Sequence, residues 1–114
     1  MRSLIKNEPL TESYFYILLC LLEGPNHGYG IMQKVKELSN ERVTIGSGTM
    51  YGATGNMIKK AWIQETKSDD PLDARKRLYC LTAPGKEILL AEYERLIFCI
   101  KSGEKIIKKG SANE

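Results

Sequence analysis

Catalysis needs side chains that move protons, hold metals or attack bonds, and this sequence offers few of them in combination. His27 is the only histidine. It stands in an Asn-His-Gly turn with no nucleophile in a context that would make a Ser/His/Asp or Cys/His set. Cys20, Cys80 and Cys99 form no C-x-x-C pair and lie in apolar surroundings, as small buried hydrophobes of a reducing compartment do. With one imidazole and scattered thiols, zinc has almost no ligands to draw on. Gly46-Ser47-Gly48 is short and lacks a following lysine, so it starts a helix rather than cradling a phosphate. No catalytic residue, cofactor or metal is expected, and the chain is not read as an enzyme.

What remains is hydrogen-bonding and charge. Thr49, Gly52 and Asn56 recur at i, i+3 and i+7, which puts small and polar groups on one face of a helix. Such a face can enter the major groove of duplex DNA and reach base edges. Asn56 suits the paired donor and acceptor of adenine, and Thr49 suits a base or a phosphate. Tyr51 is a candidate phosphate donor near the helix start, and Lys59 and Lys60 are candidate positioning charges. Gly52 and Gly55 together cost this helix about 2 kcal/mol of intrinsic helicity against alanine. Close approach of its backbone to DNA is one reason to accept that cost. Arg75, Lys76 and Arg77 form a second basic cluster, placed to straddle a phosphate backbone or enter a minor groove. Asp69, Asp70 and Asp73 nearby would repel phosphates and are expected to point away. His27 and Tyr29, at the turn before another helix, are further candidates for DNA contact, although His27 serves equally as a turn stabiliser.

The elements that must position these groups follow from periodicity and punctuation. Thr11 or Ser13 caps a first helix, apolar nearly all round, that runs to about Glu23 and stops at Gly24-Pro25. A second helix, Tyr29 to Leu38, buries a stripe of Ile31, Val35 and Leu38. Ser47 is the expected N-cap of a third helix that ends near Lys60, with Met50, Thr54, Met57 and Ile58 facing inward. Strands are expected at Trp62–Thr66 and Arg77–Leu81, joined by a turn-rich polar loop. Thr82 caps a last helix, and Pro84 is tolerated in its first turn. Leu89, Tyr93, Leu96 and Ile100 repeat at 4, 3, 4, a coiled-coil-like seam that Leu90 and Ile97 widen. Gly103 is expected to weaken or end that helix, and Lys105–Glu114 to form a polar tail. Trp62 is read first as core packing beneath the hairpin and second as part of an aromatic ligand pocket.

Bulk properties agree with one ordinary globular domain: 114 residues, 42% hydrophobic, 27% charged and a formal charge of +3. The basic excess is local, since residues 42–82 hold seven basic against four acidic side chains. The longest apolar run, Tyr14 to Leu22, is far short of the roughly 20 residues that span a bilayer, so no membrane partner is expected. A cytoplasmic location follows by default. The expected fold class is mainly α with a small β-hairpin: a winged helix-turn-helix unit with an N-terminal arm (1–81), then a C-terminal dimerisation helix and tail (82–114).

Several stretches in this order resemble the PadR family of bacterial transcriptional regulators, in particular its short members with a single C-terminal helix. They are Leu19-Cys20-Leu21-Leu22 with His27-Gly28-Tyr29-Gly30-Ile31, then Gly48-Thr49-Met50-Tyr51-Gly52-Ala53. Lys59-Lys60-Ala61-Trp62-Ile63 follows, and then Lys76-Arg77-Leu78-Tyr79-Cys80-Leu81-Thr82 with Gly85 just beyond. The resemblance implies a dimeric DNA-binding repressor whose last helix pairs with the partner subunit next to the partner's first helix. It implies recognition through Thr49, Tyr51 and Gly52, with wing contacts from Lys76 and Arg77. It also implies a small aromatic or amphipathic effector. The sequence departs from the family at Thr54, where leucine is usual, at Gly55, and at Ala61, where glycine usually ends the third helix. The last helix carries Tyr93 and Phe98 in place of the tryptophan found in members that bind flat aromatic drugs.

The expected function is therefore a transcriptional regulator, in the first instance a repressor, bound as a homodimer to a roughly palindromic operator in double-stranded DNA. Its dimer interface is expected at Tyr14, Leu18, Leu89, Tyr93, Leu96, Ile97 and Ile100. The rival reading is a winged-helix dimer that docks another protein without binding DNA.

Overall fold

A computed structural model of the chain describes residues 8–68, 70–73 and 77–112. Four helices and three short strands follow in the order α1 (Glu12–Leu22), β1 (Asn26–His27), α2 (Gly28–Leu38), α3 (Ser47–Lys59), β2 (Ile63–Thr66), β3 (Leu78–Leu81) and α4 (Ala83–Ala112). The strands form one antiparallel sheet in the order β1-β3-β2, with Ile63 opposite Leu81 and Thr66 opposite Leu78. This is the winged helix-turn-helix arrangement. Sequence patterning shows only the β2–β3 hairpin. β1 is too short to show a two-residue alternation and exists because Asn26 and His27 lie along Tyr79 and Leu78.

Helix starts differ in how they are capped. Thr11 caps α1, its hydroxyl oxygen accepting from the Tyr14 N–H at 3.1 Å. His27 caps α2: Nδ1 accepts from the Gly30 N–H at 3.2 Å. The expected cap of α3 is corrected, because Gly46 holds that position without a side-chain bond and Ser47 is already helical.

The core gathers around α1, whose Ile17 and Leu18 are fully buried and whose Cys20 and Leu21 nearly so. Ile31, Val35, Met50, Ala53, Met57, Ile63, Tyr79 and Leu89 close around them. Each large apolar side chain removed from water here contributes about 1.5–3 kcal/mol. Two expected core residues are not in it: Leu38 is 45% exposed and Ile58 38%, while Ala53 takes the inward position. Thr54 is buried and tolerated because its hydroxyl donates to the Met50 carbonyl at 3.0 Å. Ser39, also buried, accepts from the Val43 N–H at 2.9 Å and so pins the end of α2 to the following loop. Cys20 fits its sequence reading: burial pushes its thiol up to about 11. Cys80 and Cys99 do not, being half-buried and exposed.

Two junctions set the angle between α3 and the hairpin. At the end of α3, Ala61 N–H donates to Ile58 and Trp62 N–H to Met57, the Schellman pattern that requires a left-handed residue. Ala61 supplies it at φ 61°. At the start of α4, the Thr82 hydroxyl donates to the Ala61 carbonyl at 2.6 Å and accepts from the Gly85 N–H at 3.0 Å. A Cβ on Gly85 would stand 1.9 Å from the Trp62 carbonyl oxygen, so only glycine lets α4 sit this close.

α4 corrects the expected tail. It continues through Gly103 to Ala112, 30 residues or about 45 Å. Glu92 anchors its near end: the Arg95 guanidinium grips its carboxylate at 2.7 and 2.8 Å, and the Leu10 N–H donates to it at 3.2 Å. The hydrogen-bonded guanidinium holds Glu92 below the usual carboxylate range.

Candidate nucleic-acid interface

α3 has three faces, and they differ in kind. Met50, Ala53, Thr54 and Met57 point inward. On the opposite side, Gly48, Gly52, Gly55 and Lys59 recur at 4, 3, 4 and form the outermost ridge. A Cβ added at any of the three glycines would meet nothing within 4 Å. Packing inside the protein therefore does not demand glycine there. The ridge exposes bare backbone and ends in an exposed lysine.

One flank of that ridge carries Tyr51, 75% exposed, beside a cleft of about 180 Å³. Tyr29, from the first turn of α2, lines the same cleft, as do Met32, Ser47 and the inward-facing Tyr79 of β3. Two exposed tyrosines and the α2 N-terminus thus stand next to the first turn of α3. His27 lies half-buried behind them. Because Nδ1 accepts from Gly30, the neutral ring carries its proton on Nε2. Its observed role is the turn.

The other flank carries Thr49, Asn56 and Lys60, all exposed. Here the structure brings together two residues that the sequence reading had assigned to different tasks. Asn56 Nδ2, the donor expected for an adenine edge, donates to the Tyr14 hydroxyl of α1 at 3.0 Å. Lys60 lies over the half-buried Trp62 ring, 5.2 Å from its centroid. Tyr14, Asn56, Lys60 and Trp62 line a cavity of about 530 Å³ with Glu8, Pro9, Leu10, Thr11 and Ile88.

In the hairpin, Arg75 and Lys76 lie outside the described residues, as does Asp69. Arg77 is exposed, and its Nη1 is 3.6 Å from the Glu65 carboxylate. Asp70 is turned into its own loop, accepting from the Leu72 N–H at 3.0 Å ahead of a single helical turn at Pro71–Asp73. Leu72 is 91% exposed.

The residues expected at a dimer contact divide in two. Leu18 and Leu89 are used inside the protomer, at 0% and 1% exposure, and present no surface to a partner. Tyr93 and Ile100 are exposed, while Tyr14, Leu96 and Ile97 are half-buried. The seam continues past the expected helix end, since Gly103 and Ile107 extend the 4, 3, 4 spacing and Ile107 is exposed. Three features escaped the sequence reading: the full glycine ridge, Tyr79 in the cleft, and Glu65 diagonal to Arg77 across the hairpin. The first was legible in the spacing of Gly48, Gly52, Gly55 and Lys59. The other two depend on strand register.

Among the described residues no helix is long and apolar enough to cross a membrane, and no three His, Cys, Asp or Glu side chains converge as around a metal ion.

Comparison with known proteins agrees with this geometry. A crystal structure of a PadR family transcription regulator from Clostridium difficile superposes with a TM-score of 0.74 at 25% identity, covering 85% of this chain and 99% of that one. The protein smu.1704 of Streptococcus mutans gives 0.71 at 18% identity, over 90% and 94% of the two chains. RosR of H. salinarum, in its complex RosR-S4, gives 0.64 at 22% identity, over 90% of each chain. A 37.1 kDa protein in a Streptomyces fradiae transposon is 31% identical over 81 residues, 71% of this chain. The chain spans only 22% of that curated relative's length. The model of the transcriptional regulator PadR-like family matches residues 17–91, which hold α2, α3, the whole hairpin and the first turns of α4. The chain belongs to the PadR-like family of transcriptional regulators.

Proposed function

We propose that the protein is a cytoplasmic repressor that binds a roughly palindromic operator as a homodimer. Two copies of α3 enter successive major grooves about one helical turn apart. The observation that carries this reading is the outer ridge of α3. Three glycines that no internal packing requires leave the helix backbone free to approach a groove floor. Thr49 and Tyr51 flank the ridge at the end that enters first, and Lys59 closes it. Tyr29, Lys60 and the basic wing residues Arg75, Lys76 and Arg77 supply phosphate contacts that fix register without reading sequence. His27 shapes the turn that presents Tyr29. Residues 1–81 form the reading unit, and residues 82–114 the pairing unit, with Tyr93, Leu96, Ile97 and Ile100 against the partner copy.

The cavity beside Trp62 supports a second element of this reading, relief by a small amphipathic effector. It has apolar walls in Pro9, Leu10 and Ile88, and it shares Asn56 and Lys60 with the recognition helix. A molecule seated there would be felt by α3 directly.

Fluorescence anisotropy of the purified protein on DNA from its own upstream region, beside a random duplex, tests the main reading. Tight binding to the former, a clear gap to the latter and a steep fall with salt are expected. A folded dimer that binds neither duplex at low salt would move the function to protein docking.

A further inference from the structure

Phosphate-binding surfaces do not usually carry a carboxylate beside their cations, yet this hairpin does. Glu65 pairs with Tyr79 across β2 and β3, and Arg77 stands just before β3, two residues from Tyr79, where continued alternation puts it on the same side. All three therefore share one face, the face on which Tyr79 lines the cleft with Tyr29 and Tyr51. Arg77 Nη1 reaches Glu65 Oε1 at 3.6 Å, with both side chains at least half exposed. The contact is diagonal across the hairpin, so strand register sets it.

We infer that Glu65 is a positioning residue that occupies the Arg77 guanidinium in the free protein and must be exchanged for a DNA phosphate on binding. A carboxylate and a phosphate offer the guanidinium the same planar pair of acceptors. The exposed pair is weak enough to open, and it still subtracts from every DNA complex by the free energy of opening it. Glu65 thereby tunes general DNA affinity downward without altering which sequence is preferred, because phosphate contacts carry no base information. This rests on the DNA-binding reading above.

The test is a double-mutant cycle read by anisotropy on the upstream duplex and on a random duplex at fixed salt. Glu65→Gln should bind both about two- to fivefold more tightly, the range set by an exposed ion pair. Arg77→Gln should weaken both, and Glu65→Gln added to it should bring no further gain. An equal gain in the Arg77→Gln background would mean that Glu65 repels DNA directly, and would overturn the exchange. No gain in the single variant would overturn it as well. Circular dichroism should be unchanged throughout, since both positions are exposed. Failure of the wild type to bind either duplex would instead sink the DNA-binding reading itself.

Discussion

Ala61 shows how a single side chain can hold a strained position because its surroundings leave no alternative. The Schellman bonds of Ala61 and Trp62 need a left-handed residue, and the Thr82 hydroxyl fixes the Ala61 carbonyl in place. An alanine at φ 61° pays for its Cβ there, as glycine would not. Replacement Ala61→Gly should stabilise the fold by about 0.5–1 kcal/mol, measured as a higher urea midpoint at unchanged slope. Asn56 illustrates the opposite case, a polar group free by sequence and engaged in the structure. With its amide on Tyr14, it works as a strut between α1 and α3. Asn56→Ala and Tyr14→Phe should each cost about 0.5–1 kcal/mol and be non-additive when combined. On DNA, Asn56→Ala should weaken operator and random duplex alike. A selective loss at one operator position would restore it to base reading.

Among the elements, α4 does two jobs along its length. Its near end is built into the protomer through Leu89 and the Glu92–Arg95 pair, which also holds the backbone of Leu10. Glu92 is depressed in the folded state, so its contribution is present above the unfolded carboxylate pKa of about 4.3 and is lost as pH falls through its lower native value. Glu92→Gln should therefore lower the thermal midpoint at pH 7, and the gap to wild type should narrow toward pH 3. A gap that is constant with pH would point to packing alone. The open side of the helix carries Tyr93, Ile100 and Ile107, with Gly103 between the last two on the same line. Apolar side chains spaced like this are the ones that the proposed pairing with a second copy would cover.

For the whole molecule, 62 Å in its longest dimension, the proposed function makes pairing of two copies the step that lets two α3 helices act together. Charges placed in the exposed part of the seam test this without touching the core. Tyr93→Glu with Ile100→Glu should leave the helical circular dichroism intact and convert a dimer to monomer by analytical ultracentrifugation. Operator affinity should fall by more than about tenfold, since a lone protomer loses the gain from linked half-sites. A variant that remains dimeric would move the interface elsewhere.

The four helices and the β2–β3 hairpin were legible in the sequence, because local periodicity and turn chemistry determine them, and Thr11 was one of two candidates for the first cap. So was the exposure of Thr49, Tyr51 and Gly52 on α3, which follows from the apolar spacing of Met50 and Met57. Other features needed the third dimension. Gly103 does not stop α4, since one unfavourable residue costs a long helix less than its many other bonds contribute. Leu18 belongs to the protomer and not to a dimer face, because an apolar helix cannot say by itself which neighbour covers each side. The Tyr14–Asn56 bond spans 42 residues and the Glu65–Arg77 pair depends on a strand register. Both are set by how elements pack, which no local pattern encodes. Sequence alone determined the four helices, the hairpin and which of them could face DNA; tertiary packing added β1 and decided which side chains on those faces remain free to do so.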